Sequence, residues 1–325
     1  MATLGRWIGR CAVAACLTAA AWQGGALAQP YPSKPVRISV GFAPGGIADV
    51  VTRLVALHLG PHLGQTIIVE NKAGADGRIQ LQQLAAAAAD GYSIGLADSG
   101  LAVNAVLFAT KAYEPAKDST PLLYLGEVPN FIAVTPSLNV NSLTAFVEYA
   151  KARPGKLNYA ATASSTMLAA ELFKATAGVD IVRISYKGQA LGLPALMAGD
   201  VQLMVSAVGP LAPLAKQGKL KALAVTSLTR SPLTPDVPTA TEAGLPGMVY
   251  VNWYVVLAPA GLPKPIAERL SADLRKVMAE PGVTTRLREM GIEPNVASPE
   301  EFQSILKNEL AKMETIVKSA NLKIE

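Results

Sequence analysis

The chain has 325 residues, half of them apolar, with 29 Lys and Arg against 24 Asp and Glu and a formal net charge of +5. No cluster of basic residues marks a nucleic-acid face, and the few aromatic residues are not interleaved with basic ones, so no nucleic-acid partner is expected. After the first thirty residues no stretch of 18 unbroken apolar residues occurs, so no second membrane element is expected either.

The amino terminus has the pattern of a secretory signal peptide: Arg6 and Arg10, an apolar stretch over 11–22, then Ala26-Leu27-Ala28 before Gln29. The stretch is shorter than the roughly 20 residues a membrane-spanning helix needs. Residues 1–28 are therefore expected to be removed after Ala28 and the protein to be periplasmic. Cys11 and Cys16 both fall in this segment, which leaves residues 29–325 with no thiol, disulfide or cysteine nucleophile. Val13-Ala14-Ala15-Cys16 also resembles a lipoprotein processing box, but five residues between Arg10 and Cys16 are too few for its apolar core. Without residues 1–28 the balance is 27 basic against 24 acidic side chains, an ordinary soluble surface.

From there the elements alternate. A β-rich run at 36–40 precedes a helix over 46–59, with Ile47, Val50, Val51, Leu54 and His58 at three-to-four spacing and Gly60 as its stop. Strands follow at 66–69 and 93–96 with a helix over 78–89 between them. Further strands are expected at 122–125, 131–134, 156–159, 181–184, 202–205 and 221–225, and helices starting near Ser142, Ser165, Ala190 and Leu211. After a strand at 249–257 the chain ends in three helices with little strand between them. The last opens with Ser298, Pro299 and Glu301 as a capping box with proline at its first position. This is an α/β pattern. The chain is too long for one core, so two domains are expected: 29–128 with 252–325, and 129–251, with crossings near 126–129 and 250–253.

The most informative stretch is Gly41-Phe42-Ala43-Pro44-Gly45-Gly46-Ile47-Ala48-Asp49, between the first strand and the first helix. Gly45 and Gly46 let a ligand approach the backbone, and the N–H groups of a helix start favour an anion. A plain tight turn explains the same residues, and Asp49 fits either a ligand contact or the helix dipole. No Walker lysine and no spaced Gly-x-Gly-x-x-Gly accompanies the loop, which argues against a nucleotide. Asp98 and Ser99 form a second candidate: Ser99 as a donor to a carboxylate, Asp98 as a helix cap or as an acid facing the ligand. Thr162, Ser164, Ser165 and Thr166 precede a helix and either cap it or bind an anion; Tyr186 and Lys187 follow a strand end, where ligands of open sheets collect. His58 and His62 stand four apart, a spacing that suits a metal pair or a helix C-terminus, with Glu70 the nearest acid beyond them. No catalytic motif is present, so no enzyme and no cofactor is expected.

With these residues in hand, the chain resembles the Bug family, the extracytoplasmic solute receptors of tripartite tricarboxylate transporters. The likeness rests on Tyr31-Pro32-Ser33-Lys34-Pro35, on Phe42-Ala43-Pro44-Gly45-Gly46 with Asp49, on Val69-Glu70-Asn71-Lys72-Ala73-Gly74-Ala75, and on Asp90-Gly91-Tyr92. It continues through Pro154-Gly155-Lys156-Leu157-Asn158-Tyr159, Tyr186-Lys187-Gly188, Ala198-Gly199-Asp200, Asp236-Val237-Pro238-Thr239 and Leu257-Ala258-Pro259-Ala260-Gly261. The resemblance implies a two-domain periplasmic-binding-protein fold, type II-like, a monomer with its ligand cleft between the domains. It also implies a small organic acid as ligand, held by the loop of Phe42, Ala43, Gly45, Gly46 and Asp49, and membrane transporter subunits as partners. Three departures from the family pattern stand out: the loop after Tyr159 is shorter, with Met167 where a histidine is expected; Ser206 replaces an aspartate; and Asp98 replaces a serine or threonine before Ser99. These departures point to a monocarboxylate, aromatic or amino-bearing. The rival readings are a ligand-presenting sensor for a membrane signalling partner, and a hydrolase with Ser164 or Ser165 as nucleophile.

Overall fold

The computed structural model describes residues 31–108, 113–319 and 322; the expected signal peptide, the expected cleavage after Ala28 and both cysteines lie outside them. The chain divides into two compact units, Met1–Ser33 and Lys34–Glu325. Of the first, residues 31–33 are described, with a cis peptide bond between Tyr31 and Pro32. The second unit holds the helices and sheets.

Its elements follow in chain order as β1 (Val36–Val40), α1 (Ile47–Leu63), β2 (Ile67–Asn71), α2 (Arg78–Ala85), β3 (Ser93–Asp98), α3 (Gly100–Leu107), α4 (Pro115–Asp118) and β4 (Ser119–Val134). Then come α5 (Leu143–Lys151), β5 (Leu157–Ala161), α6 (Ser164–Ala177), β6 (Ile181–Ser185), α7 (Gln189–Ala198), β7 (Leu203–Ala207), α8 (Val208–Lys216) and β8 (Lys221–Val225). The chain closes with β9 (Val251–Pro259), α9 (Lys264–Ala279), α10 (Pro281–Glu289), β10 (Glu293–Ala297) and α11 (Pro299–Ser319).

β-Branched residues make β1 a central strand: Val36, Ile38 and Val40 are fully buried, and the strand pairs in parallel with β2 on one side and β3 on the other. α1 covers this sheet with Val51, Val55, Leu59 and Leu63, one residue per turn, each worth about 1.5–3 kcal/mol when buried. The expected stop at Gly60 does not hold. The helix runs on through Gly60 and Pro61 and ends at left-handed Gly64, whose N–H bonds the Gly60 carbonyl. Pro61 is tolerated because it falls in the last turn, where buried Leu59 and Leu63 hold the helix on the sheet. α2 is shorter than expected, since the alanines after Ala85 leave it despite their helical propensity. The chain there must turn into β3, beside which the Tyr92 carbonyl accepts from the Arg37 N–H at 2.9 Å.

The largest departure from the sequence pattern is β4. Two short strands and a crossing at 126–129 are expected, and one strand of 16 residues is found. Residues 119–129 pair antiparallel with β9, and β10 lies against 124–127 on the other side. Residues 130–134 pair with β7 and β8. β4 thus belongs to two sheets, β2-β1-β3-β9-β4-β10 and β8-β4-β7-β5-β6, and Pro129 sits at the handover, where a missing N–H interrupts neither ladder internally. β10 is not expected from the sequence at all; Glu293, Pro294 and Asn295 have no strand pattern and pair because the β4 edge is there.

Each sheet has its own packed side chains. Tyr124, Trp253 and Phe302, each nearly fully buried, bring α11 onto the first sheet with ring centroids 5.4–6.1 Å apart. Phe146 of α5 stacks on Phe173 of α6 at 6.0 Å over the second. Where the sheets join, Ser99 Oγ donates to Asn252 Oδ1 at 2.9 Å, Asn252 Nδ2 donates to Asn130 Oδ1 at 2.9 Å, and Asn130 Nδ2 donates to the Tyr250 carbonyl at 3.2 Å.

Gly126 tests the β4 junction. A methyl group there would stand 2.3 Å from the Glu293 carbonyl oxygen. Gly126→Ala is expected to push β10 off β4 and to lower the unfolding free energy by about 2–3 kcal/mol in urea titration, with faster amide exchange confined to 293–297 and the strand it leaves.

Candidate functional site

β1, β2 and β3 are parallel, so their carboxyl ends open on one edge and carry the loops 41–46 and 72–77 and residue Ser99. β5, β6 and β7 are parallel as well, and their ends carry Thr162, Tyr186 and Val208. The two edges meet. The Ser164 N–H, at the start of α6, donates to Asp76 Oδ2 at 3.1 Å, and Ser164 Oγ lies in contact with the same oxygen and 3.0 Å from Asn104 Oδ1.

On the first edge Ala43, Pro44, Gly45 and Gly46 are exposed, Phe42 half-buried and Asp49 buried. Gly45 has φ +85, a left-handed conformation that glycine adopts without strain. Gly46 begins α1 with no side-chain cap. The Asp49 carboxylate is spent inside this loop: it accepts from the Gly45 N–H at 2.9 Å, from Arg53 Nε at 3.0 Å and from Asn71 Nδ2 at 2.8 Å. Asn71 Nδ2 also donates to the Phe42 carbonyl at 3.0 Å. Burial alone would raise the Asp49 carboxyl, but these hydrogen bonds outweigh it and hold the group at about 2. Asp49 therefore positions the loop.

Asp98 behaves oppositely. Its Oδ1 accepts from the Gly100 N–H at 3.0 Å, the capping contact that the sequence allows for. Burial first, and then the negative charge of Asp76, push its carboxyl up to about 7. Ser99 is buried, and its Oγ donates into the amide chain of Asn252 and Asn130.

On the second edge Thr166 is the capping group: its Oγ1 accepts from the Thr162 N–H at 3.2 Å and the Ala163 N–H at 3.0 Å. Ser165 is buried in α6. The Tyr186 N–H donates to the Ala161 carbonyl at 2.8 Å, and a methyl group on Gly192 would lie 2.5 Å from Thr162 Cγ2 and 3.7 Å from Tyr186 Cγ, so α7 packs directly on both. Lys187 is exposed and makes no hydrogen bond or ion pair among the described residues. Ser206 is buried within β7, in register with Phe131.

The acid that meets His58 and His62 is Glu280, not Glu70. His58 Nδ1 and His62 Nε2 lie 2.6 and 2.9 Å from its two carboxylate oxygens, which ties α1 to the junction of α9 and α10. Glu70 instead pairs with Arg37 at 2.9 Å and Lys72 at 3.4 Å. Both histidines of the chain are thereby held away from Ser164, whose contacts are an acid and an amide. Among the described residues no group of three or more His, Cys, Asp or Glu side chains is placed to hold a metal ion, and no helix is long and apolar enough to cross a membrane. Asp76 and Asn104 are the site residues that sequence reasoning misses. The available signal was an acid set between Ala75 and Gly77 in a glycine-rich turn after a strand.

The model of the tripartite tricarboxylate transporter family receptor matches residues 51–322. The chain belongs to this family. Bug protein BugT of Bordetella pertussis is 33% identical over 302 residues, 92% of this chain and 93% of that protein. Three solved structures share the fold. R. palustris Rpa4515 with adipate is 35% identical with TM-score 0.84, over 90% of this chain and 99% of that one. Periplasmic binding protein BugD is 34% identical with TM-score 0.81, over 91% and 100%. MatC from Rhodopseudomonas palustris with bound malate is 31% identical with TM-score 0.79, over 88% and 100%. The tripartite tricarboxylate receptors are periplasmic substrate-binding proteins with two-domain α/β folds, and this chain has that fold.

The two acids of the first edge give opposite pH dependences. The unfolded chain ionises Asp98 near its ordinary value of 3.8, whereas the folded protein keeps that proton up to about 7. The stability this group contributes is therefore full below the unfolded value and lost as pH rises through 7. Asp49, held at about 2, contributes stability that is full above 3.8 and lost as pH falls through 2. In thermal melts Asp98→Asn is expected to leave the midpoint near pH 4 unchanged and to raise it at pH 8. Asp49→Asn is expected to lower it at pH 6 and to have little effect at pH 2.

Proposed function

We propose that the protein is the periplasmic receptor of a tripartite tricarboxylate-type transporter, which closes two domains around a small monocarboxylate, aromatic or amino-bearing, and delivers it to the membrane subunits. The observation that carries this reading is the meeting of two sets of strand-end loops, with an exposed glycine loop and an uncapped helix start on one of them. The ligand carboxylate is received at Gly46 and the first turn of α1, where backbone N–H groups and the helix dipole favour an anion. Ordered water supplements direct contacts at little cost, which suits a family whose members take different acids. Adipate in Rpa4515 and malate in MatC support an organic acid as the ligand class.

The domains of this reading are 29–128 with 252–325, and 129–251, removal of 1–28 being part of export. The exchange of partners by β4 between Pro129 and Asn130 supports those boundaries, and the second crossing of this reading lies near 250–253. Closure is then a rotation about the two crossings, and bound ligand shifts the population toward the closed state.

The test is thermal unfolding of the protein purified from the periplasm, against mono-, di- and tricarboxylates, amino acids and aromatic acids. A ligand at 100 times its dissociation constant adds about 2.7 kcal/mol of stability, a readily measured rise in midpoint. Gly45→Val with Gly46→Val is expected to abolish that rise while the protein still melts cooperatively. Valine at Gly45, where φ is +85, strains the backbone, but the strain falls in an exposed loop: nothing lies within 4 Å of a methyl group on Gly45, and the nearest atom to one on Gly46 is the Ala43 carbonyl oxygen at 3.6 Å. A panel in which no acid shifts the midpoint, or a double variant that responds like the parent, removes the reading.

A further inference from the structure

Asp76 stands in an unusual place. With φ 55 and ψ 45 it is a non-glycine residue in the left-handed region, directly after Ala75 at φ 47. Three contacts hold it there. Asn104 Nδ2 donates to its carbonyl at 3.0 Å, and the Ser164 N–H and hydroxyl both meet its Oδ2. α6 starts after Ala163, which has no side-chain oxygen to cap it, so the cap at its first N–H comes from Asp76, 88 residues earlier in the chain. The carboxylate of one edge is thereby seated on the helix start of the other. Asp98 lies close enough for its charge to be felt, and among the described residues neither acid has an ion pair with Lys, Arg or His.

We propose that Asp76 is a specificity-determining residue: it fills the anion seat at the start of α6 with the chain's own carboxylate, so the cleft accepts acids with one carboxylate and rejects dicarboxylates. The inference rests on the receptor reading. One ligand carboxylate goes to the Gly46 end of α1. A second, at the far end of the molecule, meets the Asp76 carboxylate, which has no ion pair with Lys, Arg or His among the described residues, and like charges brought together in a closed cleft are costly. An ammonium or an apolar group at the far end meets no such repulsion. The acids of Rpa4515 and MatC, adipate and malate, are of the class that this chain excludes.

A matched series separates the charges from ligand length: adipate, hexanoate and 6-aminohexanoate, measured by calorimetry and thermal shift on the protein purified from the periplasm. Asp76→Asn keeps an acceptor for Ser164 and tolerates the left-handed conformation, and Asp76→Gly removes the side chain where glycine is at ease, so both variants are expected to fold. The wild-type protein is expected to favour hexanoate and 6-aminohexanoate over adipate by at least about tenfold. Asp76→Gly is expected to gain adipate binding and to move that ratio by at least about tenfold toward the dicarboxylate, with Asp76→Asn between them. Equal binding of adipate and hexanoate by the wild type, or a ratio that neither variant moves, overturns the proposal. If Asp76→Gly gains no dicarboxylate while another acid of the broader panel still stabilises the wild-type protein, the role of Asp76 falls and the receptor reading stands. If no acid stabilises either protein, both fall.

Discussion

The antiparallel ladder between β4 and β9 is the constraint on which the molecule depends. β4 runs inside both sheets as a single 16-residue strand, so the placement of the two sheets is set by one continuous backbone and its partner. At the handover the polar chain from Ser99 through Asn252 to Asn130 lies among buried side chains, with Asn130 itself fully buried. Amides make good joints for this purpose, because each both donates and accepts and neither carries a charge that must be desolvated. Ser99 therefore belongs to the junction. Its hydroxyl ties the end of β3 to β9.

Parallel strands then dictate where the chemistry collects. Once β1, β2 and β3 run one way and β5, β6 and β7 run another, the loops after each set share an edge, and the joint turns those edges toward each other. Most groups at these edges are tied to their own element: Asp49 to the Gly45 loop, Thr166 to the start of α6, Tyr186 to the end of β5. Asp76, with Asn104 beside it, reaches across by side-chain hydrogen bonds to Ser164 at the opposite helix start.

What the sequence makes legible is local. Glycines between a β-branched run and a periodic helix identify the 42–46 loop, because strand, turn and helix each leave their own pattern within a dozen residues. The 221–225 strand is read residue for residue for the same reason. Gly126 and Pro129 read locally as breaks, yet β4 passes through both, since the partners that keep it extended, β9 and β10, lie more than a hundred residues away. β10 has no pattern of its own and exists as an addition to an edge. Glu280 meets His58 across 222 positions, and Asp76 meets Ser164 across 88. Neither pairing leaves a spacing rule to detect, because tertiary packing alone brings these side chains together.

The same chemistry explains why overall charge says so little about the ligand. The chain is basic as a whole, with a formal net charge of +5, yet the side chain that bridges its two edges, Asp76, is an acid without an ion pair among the described residues. Asp49 and Asp98 are the same residue type near the ends of neighbouring elements of one sheet, and their carboxyl groups lie about five pH units apart, at about 2 and about 7. Three hydrogen-bond donors stabilise the charge of the first; burial and a like charge oppose that of the second. Selectivity in such a cleft follows from which acid keeps its charge and what already neutralises it. An exposed lysine such as Lys187 attracts any anion through solvent, and screening weakens that attraction within about 8 Å at physiological salt. A carboxylate seated on a helix start discriminates at contact, where screening by salt is weak.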